Sequence, residues 1–183
     1  VEDCAVDLKD LAEYTRRLTE VFAKHGTSGC WYAHASVGTL HVRPVLNLKK
    51  QLGADALRAV AEDAFDLVRE YKGSHSGEHG DGIARSEFHQ DMFGSEMVAL
   101  FEDVKRLLDP EGLFNPNKIV HPSKHDDRSL FRFGPAYEDR ISIHGSLKTG
   151  FDWSAWGSFS GAIEMCNNNG ACRKTDVGVM CPS

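Results

Sequence analysis

Apolar residues with a helical period define three segments of the chain. The first follows Asp7, a favoured N-cap residue type, and ends near Gly26. The second covers about 54–71 and the third about 95–108. We expect all three apolar stripes to lie in the core. Their inward positions are Leu8, Leu11, Leu18, Val21, Phe22, Leu57, Val60, Ala64, Leu67, Val68, Tyr71, Met97, Leu100, Phe101, Val104 and Leu108.

The segment between the first two helices has the aromatic and β-branched content of strands. It contains His34 and His41, which an uninterrupted strand would direct to opposite faces because they are seven positions apart. A bulge or hairpin at Gly38 would reverse that parity and bring both imidazoles together. With a weak strand over 1–6, the pattern predicts an α+β fold with an antiparallel sheet.

The stretch 76–82, Ser-Gly-Glu-His-Gly-Asp-Gly, places an acid beside an imidazole between glycines. Glycine is favoured where the backbone turns sharply or passes close to another group. With His34 and His41, Glu78 would complete a two-histidine, one-carboxylate set for a divalent cation with an open coordination position. Each histidine alone is also compatible with a structural role, and the stretch with an ordinary surface loop.

Composition narrows the class of protein. The 183 residues are 41% hydrophobic, which is enough for one folded domain plus an appendage. A net charge of −6 without a basic cluster argues against nucleic-acid binding. We find no signal peptide and no membrane-spanning run, and the chain begins at Val1. We therefore expect a fragment of a longer cytoplasmic protein, with peripheral membrane attachment left open.

Five cysteines are an odd number, and three of them lie near the C-terminus, at Cys166, Cys172 and Cys181. This usage favours metal or cluster ligation over a disulfide framework, and Cys4 and Cys30 are expected to be buried thiols. Beyond His121 the chain becomes polar and loses its periodicity. We therefore predict one domain over 1–121 and an extension over 122–183.

Three motifs occur in one order: His-x6-His at 34–41, Gly-Glu-His-Gly-Asp-Gly at 77–82, and Asp-Pro-Glu-Gly-Leu-Phe-Asn-Pro-Asn-Lys at 109–118. Together they resemble the C-terminal domain of FAD-linked oxidases, a group that includes D-lactate and D-2-hydroxyglutarate dehydrogenases and the glycolate oxidase flavoprotein. The resemblance covers most of 1–120. It implies a ferredoxin-like antiparallel sheet with helices on one face, followed by an irregular C-terminal extension. It also implies oxidation of a D-2-hydroxy acid to a 2-oxo acid, with hydride passing to FAD.

The resemblance assigns roles to particular residues. His34, His41 and Glu78 become ligands of a divalent metal, for which we favour zinc, and His79 becomes the base. Many metal-dependent members have Gly-Asp-Gly-Asn between the histidines, where this chain has Ser-Val-Gly-Thr at 36–39. Such a loss of polar neighbours would weaken support for the metal. Arg85 is not among these assignments: its charge and its place soon after the 76–82 stretch make it a candidate partner of a substrate carboxylate, and a surface salt bridge explains it at least as well.

Asn115 and Lys118 are candidate flavin neighbours in the resemblance, although a capped turn explains them equally well. The chain has no glycine-rich pyrophosphate cradle. In the family, FAD is bound mainly by an N-terminal domain that this chain lacks. We therefore expect the fragment alone to bind FAD weakly or not at all and to turn nothing over.

The stretch 132–183 resembles the junction in longer members that are fused to an iron–sulfur domain. Cys166, Cys172 and Cys181 would be cluster ligands, although a usual Cys-x-x-Cys-x-x-Cys run would have cysteine where this chain has Asn169. A fourth ligand must come from elsewhere, and zinc is the alternative occupant. The predicted partners are a small 2-hydroxy acid and a separate electron acceptor, and a homo-oligomer is compatible with the sequence. The rival function is a non-catalytic metal-binding or assembly module.

Overall fold

The structure is a computed structural model that describes residues 1–137, 149–168, 170–173 and 178. The chain divides into two compact units, Val1–Gly134 and Pro135–Ser183. The sequence-based boundary after residue 121 stays a prediction.

The first unit contains a three-stranded antiparallel sheet. Its strands are β1 (Cys4–Ala5), β2 (Gly29–His34) and β3 (Thr39–Pro44), in the order β1-β3-β2. β2 and β3 form a hairpin through a short 3-10 turn and Gly38, whose φ of 74° favours glycine. A Cβ on Gly38 would lie 2.0 Å from the Val6 carbonyl oxygen. These contacts confirm the predicted reversal at Gly38.

Four helices belong to the first unit: α1 (Leu11–Lys24), α2 (Gln51–Glu70), α3 (His89–Phe93) and α4 (Ser95–Leu108). The core lies between the sheet, α1 and α2. Its buried residues are Cys4, Val6, Tyr14, Leu18, Phe22, Leu40, Val42, Val60, Ala61, Ala64, Phe65, Leu67, Val68 and Phe88. The architecture is α+β, as the sequence predicted.

Two expectations about the first helix need correction. Asp7 caps a 3-10 turn over Leu8–Asp10, where its side chain accepts a hydrogen bond from the Lys9 backbone N–H, and α1 begins only at Leu11. Leu8 therefore lies outside the helical stripe and is exposed, which makes its assignment to the core wrong.

The apolar stripe of α4 was also wrongly assigned to the core. No residue of α4 is buried by the described part of the chain, and Met97, Leu100, Val104 and Leu108 are exposed. Helical periodicity reports that one face is apolar, but it does not report what covers that face. Cys30 is likewise exposed, because its side chain points away from the face on which Trp31 packs against Phe22. The prediction of a buried Cys4 is confirmed.

The second unit is irregular in its described part. It contains a 3-10 turn over Ser154–Trp156 and a short helix, α5 (Phe159–Glu164), which Ser158 caps by accepting a hydrogen bond from the Gly161 N–H. The Trp153 ring packs against Trp156 and Phe159. Among the described residues, no helix is both long and apolar enough to cross a bilayer.

Candidate functional site

The hairpin brings the two predicted histidines together. His41 lies on the central strand β3, opposite Tyr32, and is only 2% exposed. His34 follows Tyr32 by two positions on β2, so its side chain shares a face with His41. The two ring centroids are 5.3 Å apart. The Nδ1 of His41 lies 3.3 Å from the backbone carbonyl oxygen of Glu2. When the neutral ring donates a hydrogen bond from Nδ1 to this oxygen, its Nε2 atom carries the lone pair.

Glu78 completes the predicted set. Its Oε1 atom lies 2.8 Å from His41 Nε2 and 3.0 Å from His34 Nε2. Neighbouring donors around one cation of zinc size are separated by about 3 Å, because each lies about 2 Å from the ion. Glu78 Oε1 therefore lies at a ligand spacing from each imidazole nitrogen. Asp3, His41, Glu78 and His79 each place a ligand atom within 4.8 Å of those of the others, and His34 is outside this tighter group.

Asp3 holds the loop that presents Glu78 and His79. Its buried carboxylate accepts the backbone N–H groups of Glu78 at 3.0 Å and His79 at 2.8 Å, and its backbone carbonyl accepts from Gly77 at 2.6 Å. Burial alone would raise the pKa of Asp3. The two N–H donors, aided by nearby Arg85, hold that pKa below its ordinary value.

His79 packs in parallel against His41, with ring centroids 4.6 Å apart and 18° between the planes. Its Nδ1 lies 3.1 Å from Glu2 Oε2, and this hydrogen bond raises the pKa of His79. When the neutral ring donates from Nδ1, its Nε2 carries the lone pair, and this atom lies 3.7 Å from Glu78 Oε1. The ring is 44% exposed, so Nε2 is accessible to a small substrate.

Arg85 is anchored within the chain. Its guanidinium is buried and donates to Glu2 Oε2 at 3.1 Å and to the Gly80 carbonyl at 2.7 Å. The salt bridge considered from the sequence is present, with Arg85 buried and its partner Glu2 31% exposed. Glu2 thereby links Arg85 to His79. The role of Arg85 toward a substrate carboxylate stays a prediction.

Asn115 and Lys118 lie together after α4, with Lys118 Nζ 3.4 Å from Asn115 Oδ1. Both line a mostly apolar cleft of about 730 Å³ that extends to Gly82. Gly82 is the last residue of the stretch 76–82, which we call the Glu-His loop. The capped turn is also present, since Asp109 accepts the N–H groups of Leu113 and Phe114 at 2.9 Å each. A hydrogen bond from Lys105, with these two N–H donors, lowers the pKa of Asp109 to about 2.

The predicted cysteine ligands are only partly described. Cys166 and Cys172 are exposed, and the Cys166 Sγ accepts the Asn168 N–H at 3.3 Å. Cys181 and Asn169 lie outside the described residues. Their ligand roles stay predictions.

Sequence reasoning missed Glu2 and Asp3. Both precede the short β1 strand, and they act on a loop about 75 residues away. The only sequence signal was a pair of acids inside an otherwise apolar segment, 1–6. Nothing in their spacing connects them with Glu78.

Comparison of the sequence with known proteins identifies relatives of this chain. Residues 1–119 match the family described as FAD linked oxidases, C-terminal domain. The chain is 33% identical to the D-2-hydroxyglutarate dehydrogenase of Pseudomonas putida and 31% identical to that of Escherichia coli. Both alignments cover 100% of this chain and 17% of the relative.

A D-lactate dehydrogenase of Archaeoglobus fulgidus is 30% identical over 120 residues, which is 66% of this chain and 26% of that protein. The chain thus spans about a sixth of the length of the D-2-hydroxyglutarate dehydrogenases it matches, 17% in each of the two above. By the family match and by the identity over its full length, the chain belongs to the C-terminal domain family of FAD-linked oxidases.

Proposed function

We propose that this chain supplies the substrate- and metal-binding part of an FAD-dependent dehydrogenase that oxidises a D-2-hydroxy acid to a 2-oxo acid. One observation carries the proposal: the Nε2 atoms of His34 and His41 lie 3.0 and 2.8 Å from a single oxygen of Glu78, beside the accessible His79 ring. The printed names of the relatives, D-2-hydroxyglutarate and D-lactate dehydrogenase, support the class of substrate.

His34, His41 and Glu78 would hold a divalent cation, and zinc suits two imidazoles and one carboxylate. When bound, the cation supplies an electropositive anchor for the carboxylate and hydroxyl oxygens of the substrate. The loop reaches this position because buried Asp3 accepts the N–H groups of Glu78 and His79. The chain thus orients the ligand and the base through one carboxylate.

His79 would accept the substrate hydroxyl proton at Nε2. The ring is oriented for this role by the hydrogen bond between Nδ1 and Glu2, which also stabilises the imidazolium that forms. FAD would supply the hydride acceptor for the hydrogen on the substrate Cα. Loss of one proton to His79 and one hydride to the flavin converts the hydroxy acid to the oxo acid and balances the reaction.

Asn115 and Lys118 would lie beside the flavin. Their side chains line the 730 Å³ cleft that ends at Gly82, so a planar apolar group in the cleft would reach the end of the Glu-His loop. We further propose that electrons leave the flavin for an iron–sulfur centre with thiolates from Cys166, Cys172 and Cys181. The exposure of Cys166 and Cys172 supports access to a cluster, and zinc remains the alternative occupant.

A non-catalytic metal-binding module is the second candidate function, because the ligand set alone would serve it. The accessible His79 ring, with its Nδ1 partner Glu2, favours the enzyme, since metal binding by His34, His41 and Glu78 does not require that pair.

The experiment is anaerobic flavin bleaching on the full-length protein, with D-2-hydroxyglutarate, D-lactate and their L-enantiomers. We expect one D-acid to bleach the flavin and the L-acids to leave it oxidised. In H79N the bleaching rate should fall by about 10²–10⁴-fold, the usual contribution of a general base. The matched control is H121N, at an exposed histidine outside the site. A bound flavin that no D-acid bleaches would refute the proposed reaction.

A further inference from the structure

A second cluster of metal-ligand side chains lies outside the site described above. It consists of His75, Asp81 and His89, whose ligand atoms all lie within 4.8 Å of one another. Asp81 Oδ2 lies 3.0 Å from His89 Nε2, and Asp81 Oδ1 lies 3.4 Å from His75 Nε2. Around an ion bound at about 2.1 Å, adjacent donors are separated by about 3.0–3.4 Å, so each imidazole nitrogen lies at a ligand spacing from one oxygen of Asp81.

The cluster contains polar atoms that the described residues leave without hydrogen bonds. Both ring nitrogens of His75, Nε2 of His89 and Oδ1 of Asp81 are buried and have no hydrogen-bond partner in the described part of the chain. His75 is completely buried, and His89 is 2% exposed. Buried polar groups in proteins are almost always satisfied, so unpartnered atoms on three residues whose ligand atoms lie within 4.8 Å of one another indicate a missing partner.

The missing partner has the properties of a cation. His89 Nδ1 lies 3.3 Å from the Ile119 carbonyl oxygen, and donation there leaves a lone pair on Nε2. In that tautomer Nε2 and Asp81 Oδ2, 3.0 Å apart, both offer lone pairs, and the contact is favourable only with positive charge between the two atoms. His75 is completely buried and neither of its ring nitrogens has a hydrogen-bond partner among the described residues, so its neutral ring offers a lone pair on one nitrogen.

We propose that His75, Asp81 and His89 bind a second divalent transition-metal cation of the zinc class. Two imidazoles and one carboxylate suit such an ion, and water would complete its coordination. His75 immediately precedes the Glu-His loop, Asp81 lies next to its last residue, and His89 begins α3. The cation therefore braces both ends of the loop that presents Glu78 and His79, whereas Asp3 anchors its centre. This proposal is independent of the proposed dehydrogenase reaction.

The test counts metal ions bound by the full-length protein. The protein is stripped with a chelator, and Co²⁺ binding is measured by equilibrium dialysis and visible absorption. A double substitution, H34A/H41A, removes the first site. We expect this protein to retain one Co²⁺ without the thiolate charge-transfer absorption that cysteine ligands would produce. Adding D81N or H89Q should abolish that binding, and adding the matched change H121Q should not.

The outcomes separate this proposal from the first metal site. Loss of one Co²⁺ between wild type and H34A/H41A supports the first site, whatever happens at the second. Failure of H34A/H41A to bind a non-thiolate Co²⁺, or unchanged binding after D81N and H89Q, would overturn the second site. Circular dichroism of the metal-free variants tests their folding.

A further measurement leaves the cluster unaltered, in case D81N or H89Q fails to fold. Zinc-edge X-ray absorption of zinc-loaded H34A/H41A should detect two imidazoles and nitrogen or oxygen ligands at about 2.0–2.1 Å. Sulfur ligands in place of imidazole would overturn the proposal, because they would assign the bound metal to the cysteines.

Discussion

Replacing the buried Asp3 by asparagine tests how the Glu-His loop is held. The carboxylate accepts the N–H groups of Glu78 and His79, and hydrogen bonds to a charged group contribute about 1.5–3 kcal/mol each. Both N–H groups donate to the same oxygen, Oδ2, so the amide oxygen of the substituted side chain can still accept both, but without the negative charge. A hydrogen bond between neutral groups contributes only about 0.5–1.5 kcal/mol. We therefore expect the loop to lose about 2–3 kcal/mol against local opening, which is about a 30–150-fold change in the opening equilibrium.

The assay is amide hydrogen exchange of residues 74–82 in the full-length, metal-free protein, read by mass spectrometry. D3N should accelerate amide exchange in this peptide by about 30–150-fold and leave the exchange rates of α1 unchanged. The matched control is D66N, at an exposed aspartate. Unchanged exchange at Glu78 and His79 in D3N would refute the idea that Asp3 holds the loop. Because the pKa of folded Asp3 is below its ordinary 3.8, its contribution is complete above that value and is lost as the pH falls below it.

Three further predictions follow from the site and the hairpin. H34A should lower affinity at the first metal site by at least about 100-fold in dialysis and leave the melting temperature within about 1–2 °C, because His34 is exposed. E2Q should move the acid limb of the pH profile of kcat/KM to lower pH. Glu2 raises the pKa of His79, and His79 must be deprotonated to act as the base. An acid limb that does not move would contradict the role of Glu2. G38A should destabilise the fold by about 1–3 kcal/mol in thermal unfolding, because its Cβ would meet the Val6 carbonyl at a positive φ; a wild-type melting temperature would argue against the hairpin geometry.

The sequence predicted the parts of the site that depend on local geometry. The turn at Gly38 lies within a few residues of His34 and His41, so turn chemistry and strand parity were sufficient to bring these two rings together. Glu78 was added to them by ligand chemistry and by the resemblance, because no local geometry links it to the hairpin. Asp3 was not predictable in this way, because it acts on a loop 75 residues later. The cluster of His75, Asp81 and His89 was missed for a related reason. It depends on how the loop before α3 packs against that helix, and the hydrophobic periodicity of a sequence carries no information on such packing.

The α4 helix shows a different limit. Its residues have a clear helical period, and the helix lies where that period predicted it. Burial, however, depends on the presence of a second surface, and the pattern is identical whether that surface belongs to the same unit or to another. The period therefore predicted the helix correctly and its environment wrongly.

The distance along the chain between Asp3 and the loop it holds has a consequence for the order of folding. The contact between Asp3 and Glu78 closes a loop of 75 residues, whereas the turn of the β2–β3 hairpin closes a loop of only a few residues. The longer loop loses more chain entropy when it closes. On a ribosome, the acidic pair emerges first and must wait for the loop to be synthesised before its carboxylates find their donors. We therefore expect the Glu-His loop to become ordered late, on a sheet that is already formed, so that metal capture at Glu78 follows folding of the sheet.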